Sequence, residues 1–408
     1  MESRGQVTAD QAAALLGVRL QTIYAYVSRG LLTRTHLTND SGHRVSGFAR
    51  EEVLRLAAER TRVRLGAMEV LLETDVTMLD PRGALSFRGH PARDLVDWRF
   101  EDVAELVWTG EEPLPGQSHC WALDRADLEA ATRAVSGLPG GASDVDRIRV
   151  AVVALAAADP DRNDLGREHV LSVGRRAILA GVTALPLCGK EIHASLESRL
   201  WARLSERAPR PPELTALRTA LILLVDHELA ASTMAARIAA GTGADPWLVL
   251  LTGLAAIGGP RHGGSNLLAQ ELLRAVRRDG LAALEPYAGQ PGVPGFGHKV
   301  YVDADPRAEA LLDLVAELDP QGWPLIEHVL LSVSRTHRQS PNVDLGLAAL
   351  VLACHLPAGA GETIFALSRM VGWIAHGMEE YPRGLRFRPR AVYTGGEPSA
   401  PRPRAEGL

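Results

Sequence analysis

Four stretches of the chain place polar side chains inside otherwise apolar, helix-periodic sequence. Three of them carry an imidazole, and the fourth sets a lone carboxylate at the start of an apolar helix. They are residues 226–233 with His227, 258–266 with His262, 295–307 with His298 and Arg307, and 341–344 with Asp344. Glycines flank His262 and His298, and glycine lets backbone amides and a ligand approach closely. The segment 258–266 therefore indicates a site loop.

Taken singly, each group also has a structural explanation. A histidine in an apolar segment is more often a hydrogen-bonded core residue than a functional one, and Asp344 is equally well explained as a helix N-cap. Metal binding has little support because the histidines lack HxxxH spacing and no cysteine lies near them. Residues 359–363, GAGET, lack the GK[ST] of a phosphate loop, and no GxGxxG opens a helix after a strand.

Together and in this order, the stretches resemble the citrate synthase family. The matching motifs are DHExxxST, GPxHGGxN, GFGHxVYxxxDPRA and PNVD, followed by residues 368–376 and by Arg388 and Arg390. The resemblance runs from about residue 66 to residue 396 and includes FRGH at 87–90 and the helical segment that begins at Phe100. It implies a mostly α fold, the citrate synthase fold with a large and a small helical domain.

The resemblance implies formation of a carbon–carbon bond between an acyl-CoA and a 2-oxo dicarboxylate. This reaction requires a base for the weakly acidic proton beside the thioester and a donor for the developing oxyanion. By position, Asp344 is expected to be the base and His262 the donor to the enol or enolate oxygen. His298 is expected to polarise the keto carbonyl of the acceptor. A closed, dry site would raise the pKa of Asp344 toward the working pH.

The implied substrates are acetyl-CoA or propionyl-CoA and oxaloacetate, with no separate cofactor and no metal ion. Arg307 and Arg369 match the family's carboxylate ligands, for which a planar guanidinium is suited, and His227 matches its substrate histidine. Arg388 matches an arginine that reaches the partner's site, which implies a homodimer. Hydrolysis of the adduct would yield CoA and citrate, as in the tricarboxylic acid cycle, or 2-methylcitrate. One methylene separates the two acyl donors, and no motif reports that choice.

Two positions depart from the family pattern. Val302 stands where many members have a basic residue that helps to hold CoA phosphates. Arg261 directly precedes His262, where an apolar residue is common. Arg261 could bind a CoA phosphate or a carboxylate of the acceptor, or it could be a surface residue. As an adjacent cation it would also lower the pKa of His262 and favour the neutral imidazole.

The elements that position these groups are predicted to be helices, because apolar residues recur at helical spacing in segments such as 100–108 and 214–224. Short strand-like pieces occur at 70–76 and 84–88, too few for a sheet-based architecture. The predicted domains are a large one (63–265 and 356–396), a small one (266–355) and a flexible tail (397–408) rich in Pro, Arg and Glu.

The first 62 residues are predicted to form a small domain of their own. Thr8 is a candidate N-cap for a first helix that ends at Gly17, and a second helix places Ile23 and Val27 on an inner face. Two helices at a tight turn, with a hairpin wing after them, resemble the MerR-like or excisionase-like helix-turn-helix.

The charge of this N-terminal segment is compatible with DNA binding through residues 8–58. Residues 1–64 carry ten Arg against six Asp and Glu, a net +4, while the remainder carries −9. The excess is modest and reflects a chain with almost no lysine, so a role in oligomer contacts stays open. An alternative for the whole chain is a transcription regulator whose synthase-like part senses an acyl-CoA or a dicarboxylate. The combination of His262, His298 and Asp344 favours the enzyme, because a sensor needs no base.

Bulk features bound the remaining possibilities. A chain of 408 residues that is 46% hydrophobic can bury a large core. No basic and apolar leader opens the sequence, and the apolar stretch 247–257 is shorter than the roughly 18–20 residues of a membrane span, so we expect a cytoplasmic protein without a membrane segment. The three cysteines are odd in number and widely spaced, which predicts reduced thiols.

Overall fold

The computed structural model describes residues 6–16, 18, 20–28, 32–38, 44–54, 72–80, 82–114, 116, 118–191, 195–384 and 386–388. The chain divides into two compact units, Met1–Glu73 and Thr74–Leu408. The proposed tail at 397–408, Arg390, Gly17 and the first two residues of the strand-like piece 70–76 lie outside the described residues. The division into domains at 62, 265 and 355 stays a prediction.

The N-terminal unit combines a small antiparallel sheet with short helices. Its elements are β1 (Gln6–Thr8), α1 (Ala9–Leu16), α2 (Leu20–Ser28), β2 (Thr35–Thr38) and β3 (Arg44–Ala49), with strand order β1-β3-β2. Thr8 and Gln11 exchange hydrogen bonds of 2.9 and 3.3 Å between side chain and backbone, which confirms the cap predicted at Thr8. Ile23 and Phe48 are fully buried and Val27 packs against them, so this unit has a core of its own.

The C-terminal unit, Thr74–Leu408, opens with a second three-stranded antiparallel sheet. Its strands are β4 (Thr77–Asp80), β5 (Ala84–Phe87) and β6 (His90–Pro91). Thr77 pairs with Phe87, whose side chain is fully buried. Strand β5 lies within the predicted segment 84–88. The other prediction was displaced, because the described residues 72–76 precede β4 and are not in a strand.

Beyond this sheet the described residues are mainly helical. The α-helices are α3 (Phe100–Thr109), α4 (Arg125–Ser136), α5 (Asp144–Ala158), α6 (Arg167–Thr183), α7 (Leu196–Leu204), α8 (Pro211–Leu223), α9 (Ala231–Gly241), α10 (Pro246–Ile257), α11 (Ser265–Asp279), α12 (Pro306–Leu318), α13 (Trp323–His337), α14 (Val343–Ala353) and α15 (Ala360–Glu380). Short 3₁₀ helices follow at Ala92–Leu95, Gly280–Tyr287 and Tyr381–Arg383. The mostly α fold class predicted from the sequence is confirmed.

Helix α15 is the central element of the C-terminal unit. Almost all of its residues between Ala360 and Gly377 are buried, including Trp373, against which Gly253 of α10 packs. A Cβ on Gly253 would lie 2.3 Å from the Trp373 ring, so only glycine allows this approach. Because α15 is held on all sides, polar groups on it are fixed in place.

Among the described residues, no helix is both long and apolar enough to cross a membrane. The cytoplasmic location inferred from the sequence stays a prediction.

Candidate active site

The loop between α8 and α9 positions His227 through its buried neighbour Asp226. Asp226 Oδ2 accepts hydrogen bonds from Thr77 Oγ1 at 2.6 Å and from the Glu228 backbone N–H at 3.0 Å. It also lies 3.2 Å from His376 Nε2 of α15. Strand β4 and helix α15 thus hold the loop in place. Glu228 adopts a left-handed φ of 52°, which turns the chain beside His227.

The loop before α12 positions His298. Gly295 and Gly297 have φ values of 82° and 76°, and a Cβ on Gly295 would lie 2.9 Å from Leu345 Cβ. Glycine is therefore required for both conformation and space. His298 Nδ1 accepts from the backbone N–H groups of Val300 and Tyr301 at 3.0 and 3.1 Å. A neutral His298 must then carry its proton on Nε2, which makes Nε2–H a donor.

Tyr301 joins the two imidazoles. Its Oη lies 3.2 Å from His227 Nε2, and its ring centroid is 4.7 Å from that of His298. The His227 and His298 rings meet edge to face at 5.2 Å. The Arg307 guanidinium lies 5.9 Å from the centroid of the Tyr301 ring. Residues 74 positions apart in the sequence are therefore in contact. His298, Tyr301 and Asp305 also line a cleft of about 490 Å³.

His262 lies in the loop between α10 and α11. Its Nε2 is 2.8 Å from Ser232 Oγ of α9, and its ring meets Phe365 of α15 edge to face at 5.7 Å. If Ser232 donates to Nε2, the proton of the neutral ring is on Nδ1. Among the described residues Nδ1 has no hydrogen-bond partner, so it is free to donate to a ligand.

Asp344 is in the first turn of α14, but it is not the cap of that helix. The N-cap is Asn342, whose side chain accepts from the Asp344 backbone N–H at 3.0 Å. The N-cap explanation of Asp344 is therefore wrong, and its carboxylate is available for another role. Its Oδ2 accepts a hydrogen bond of 2.7 Å from Ser265 Oγ, at the start of α11.

Two buried arginines complete the cluster. Arg307 forms a two-pronged ion pair with Asp305 at 2.9 and 2.8 Å, and Asp305 also accepts from the Val343 N–H. Arg369 of α15 donates from Nε to the Leu224 carbonyl at 3.0 Å. Its Nη1 is buried and has no hydrogen-bond partner among the described residues. An unsatisfied buried guanidinium N–H is costly, which points to an anionic ligand.

The surroundings of the imidazoles keep them neutral. Burial, helped by Arg307, Arg369 and His298, holds the pKa of His227 well below its usual range. Burial and Arg369 lower the pKa of His262 to about 4, and burial and Arg307 lower the pKa of His298. All three rings are uncharged at neutral pH and can each donate one N–H.

The pKa values of the acidic and phenolic groups are shifted upward. Burial raises the pKa of the Asp344 carboxyl, although Ser265 and Arg307 oppose the shift. Burial also raises the pKa of Tyr301 to about 12, so the phenol keeps its proton. A carboxylate made more basic beside neutral N–H donors suits the removal of a proton from carbon.

Comparison with known proteins decides the family. The model of the family described as "Citrate synthase, C-terminal domain" matches residues 67–390. The chain belongs to the citrate synthase family. It is accordingly an acyltransferase that performs condensation of the citrate or 2-methylcitrate synthase type, with an acyl-CoA and oxaloacetate as the family's substrates.

Relatives of this chain include both 2-methylcitrate synthases and citrate synthases. The chain is 27% identical over 374 residues to a 2-methylcitrate synthase of Mycobacterium tuberculosis, an alignment that covers 83% of this chain and 92% of that protein. It is 26% identical over 365 residues to a citrate synthase of Mycolicibacterium smegmatis, covering 83% and 96%. A solved structure of citrate synthase from Thermoplasma acidophilum, in ternary complex with carboxymethyl coenzyme A and oxaloacetate, matches with a TM-score of 0.69 at 25% identity, covering 85% and 99%.

Most side chains predicted for the site of the synthase lie together. The rings of His227 and His298 meet directly, and Ser265 links the Asp344 carboxylate to the backbone carbonyl of His262. Arg369 is near enough to His262 to lower its pKa.

Arg388 is different, because it is exposed and no described contact joins it to the other site residues. Arg261 and Val302, the two departures from the family pattern, are also exposed, Val302 to 79%.

Sequence reasoning missed the residues that hold the predicted ones. Ser232, Tyr301 and Asp305 lie inside the recognised motifs, so their positions were visible but their partners were not. Ser265 occupies a variable position of GPxHGGxN and gave no signal. The described residues contain no group of three His, Cys, Asp or Glu side chains that could hold a metal ion.

Proposed function

We propose that this synthase condenses acetyl-CoA or propionyl-CoA with oxaloacetate and hydrolyses the adduct to citrate or 2-methylcitrate and CoA. The observation that carries the proposal is the link between the Asp344 carboxylate and the loop that carries His262. The Ser265 hydroxyl lies 2.7 Å from Asp344 Oδ2 and 2.6 Å from the His262 backbone carbonyl oxygen. Enolisation of a thioester requires a base and a neutral N–H donor in one site.

The first step transfers a proton from the carbon beside the thioester to the Asp344 carboxylate. The electron pair left behind moves onto the thioester oxygen, which His262 stabilises by donating from Nδ1. The enol carbon then attacks the keto carbon of oxaloacetate, whose oxygen takes the proton of His298 Nε2–H. The proton held by Asp344 passes to water, and water returns a proton to His298. Water cleaves the thioester of the adduct, and CoA leaves as the thiol. General base catalysis of this kind contributes about 10²- to 10⁴-fold to the rate.

Oxaloacetate is a dianion, and two buried arginines lie near the imidazoles. We assign Arg369, with its unpaired Nη1, and Arg307 to the two carboxylates, with His227 as a further donor. Arg307 is already paired with Asp305, so its net contribution is smaller than that of Arg369. Movement of residues 266–355 as a small domain, with Gly295 and Gly297 absorbing changes in φ, would close the site over this substrate.

The test is oxaloacetate-dependent release of CoA thiol by the purified protein, measured separately with acetyl-CoA and propionyl-CoA. Asp344→Asn removes the base with little change of volume and should reduce the rate about 10²- to 10⁴-fold. Asp313→Asn is the matched control, since Asp313 is an exposed carboxylate of α12. Equal rates in wild type and Asp344→Asn would refute the assigned base, and no release from folded wild type would refute the reaction.

We propose further that the protein is a homodimer in which Arg388 reaches the partner's site. Its exposure and its lack of a described contact with its own site support this. Arg388→Ala and Asp344→Asn should each be nearly inactive, while a mixture refolded or produced together should regain activity. In the mixed dimer one site has both Asp344 and the partner's Arg388. Failure to regain activity, with mixed dimers demonstrated by native mass spectrometry, would contradict the shared site.

A second function is proposed for the N-terminal unit, namely DNA binding by a helix-turn-helix within residues 8–58. Three residues separate α1 from α2, and the antiparallel pair β2 and β3 follows, which matches a winged arrangement. Arg34 lies 6.0 Å from the ring of Tyr24, an exposed residue of α2. Binding of the full chain to mixed double-stranded DNA should weaken steeply with salt, and Arg34→Gln should reduce the slope. DNA binding that does not change with salt, or no DNA binding at all, would contradict this function and favour a role of the N-terminal unit in oligomer contacts.

A further inference from the structure

Ser265 contacts both the proposed base and the backbone of the loop that carries His262. It is the first residue of α11, and its side chain is half-buried. Its Oγ is 2.7 Å from Asp344 Oδ2 and 2.6 Å from the backbone carbonyl oxygen of His262. Both neighbours are acceptors when Asp344 is ionised, but a hydroxyl has only one proton to donate. Ser265 can therefore satisfy one of them at a time.

The choice between the two acceptors depends on the charge of Asp344. An ionised carboxylate attracts a donor more strongly than a carbonyl does, so the Ser265 proton points to Asp344 while it is a base. Once Asp344 has taken up a proton, its own O–H can donate to Ser265 Oγ. The Ser265 proton then turns to the His262 carbonyl, and every group keeps a partner.

We infer that Ser265 is a positioning residue for the base, and that its hydroxyl turns between Asp344 and the His262 carbonyl as the base loses and gains the substrate proton. This inference rests on the proposed role of Asp344. Ser265 supplies the only hydrogen bond to the Asp344 carboxylate among the described residues. Asn266 fixes the backbone beneath it by donating to the Asp344 carbonyl at 2.9 Å.

The charged groups around the carboxylate are few. From α12, Arg307 lowers the pKa of Asp344 and Asp305 raises it. From α11, Ser265 and Asn266 face it and carry no charge. On the loop before α11, burial and Arg369 of α15 lower the pKa of His262 to about 4. Removing the hydroxyl therefore removes the one neutral donor that favours the ionised form.

The test is the pH dependence of kcat/KM for the acyl-CoA at saturating oxaloacetate. Activity requires ionised Asp344, so kcat/KM falls as pH decreases through its pKa. Ser265→Ala destabilises the ionised form and should move this acidic limb up by about one pH unit, since hydrogen bonds to charged groups are about twice as strong as neutral ones. Ser265→Thr keeps the hydroxyl and should leave the limb at its wild-type position.

A residue that serves only to begin α11 would give a different result. Ser265→Ala would then lose activity by the same factor at every pH, with the limb unmoved, and the inference would be overturned. Thermal unfolding of each variant separates such a loss of fold from a change of the site. Asp344→Asn separates this inference from the proposed function: if it stays active, the base is misassigned. If it is inactive while the limb of Ser265→Ala is unmoved, only the role of Ser265 fails.

Discussion

Replacing Tyr301 by Phe should selectively impair the use of oxaloacetate. The phenol is the described partner of His227 Nε2, at 3.2 Å, and both side chains are buried. Because the pKa of Tyr301 is raised to about 12 and that of His227 is lowered, the phenol donates to a neutral ring. The substitution removes that donor without changing the packing of the aromatic ring.

The size of the effect follows from the burial of His227. Leaving a buried acceptor without its donor costs about 1–3 kcal/mol, and about 1.4 kcal/mol corresponds to a factor of ten. If this cost falls on the bound complex, the KM for oxaloacetate should rise about 5- to 140-fold. The KM for the acyl-CoA should change little, since neither His227 nor Tyr301 contacts the Asp344 and His262 pair in the described structure.

The assay is the initial rate of CoA release as oxaloacetate is varied at saturating acyl-CoA, and then the reverse. Tyr287→Phe is the matched control, because Tyr287 is a half-buried tyrosine outside the site motifs. An unchanged KM for oxaloacetate would refute the reasoning. Equal increases in both KM values would also refute it, because they would indicate a general disturbance of the site.

Three further predictions concern stability and binding. Gly253→Ala should lower the free energy of unfolding by about 1–3 kcal/mol, measured by denaturant titration, because its Cβ would overlap the Trp373 ring. Asp305→Asn should cost about 3–5 kcal/mol on the same measurement, since it leaves the buried Arg307 charge without its partner. The free energy of unfolding should fall as the pH decreases from 6.5 to about 4. In this range the unfolded chain protonates His262, whereas in the folded protein its pKa is lowered to about 4. His262→Gln should reduce this dependence on pH.

Each of these has an outcome that would contradict it. A Gly253→Ala variant that is as stable as wild type would mean that the Trp373 contact is not restrictive. An Asp305→Asn variant of unchanged stability would mean that water reaches Arg307. A pH dependence identical in wild type and His262→Gln would assign the slope to other groups.

Local patterns predicted where the candidate site residues lie along the helices and loops better than their contacts. They placed Asp344 at the start of a helix and His298 directly after a glycine, because these signals lie within a few residues of each other. The partner of His227 was not identified, since Tyr301 lies 74 residues away and periodicity carries no information on such pairs. The N-cap of α14 fell on Asn342 instead of Asp344, two residues from the position considered.

Helices and strands were also predicted best where the local pattern was clear. The segment 100–108 is the greater part of helix α3, where apolar spacing was clear. Strand β4 begins at Thr77, just beyond the predicted segment 70–76, because a strand of four residues has too few alternations to set its ends. The role proposed for Arg388 depends on a second chain, so contacts within one chain do not test it.

The anchoring of Asp226 limits how far the C-terminal unit, Thr74–Leu408, can be shortened from its N-terminal end. Thr77 donates to Asp226, while Thr74 Oγ1 and the Asp75 backbone N–H donate to Glu379 of α15 at 3.1 and 2.9 Å. A truncated chain that begins at residue 74 keeps these ties, whereas one that begins after Thr77 loses all of them. Progressive deletion from the N-terminus should therefore show an abrupt loss of protease resistance near His227 within these four residues, well before any motif residue is removed.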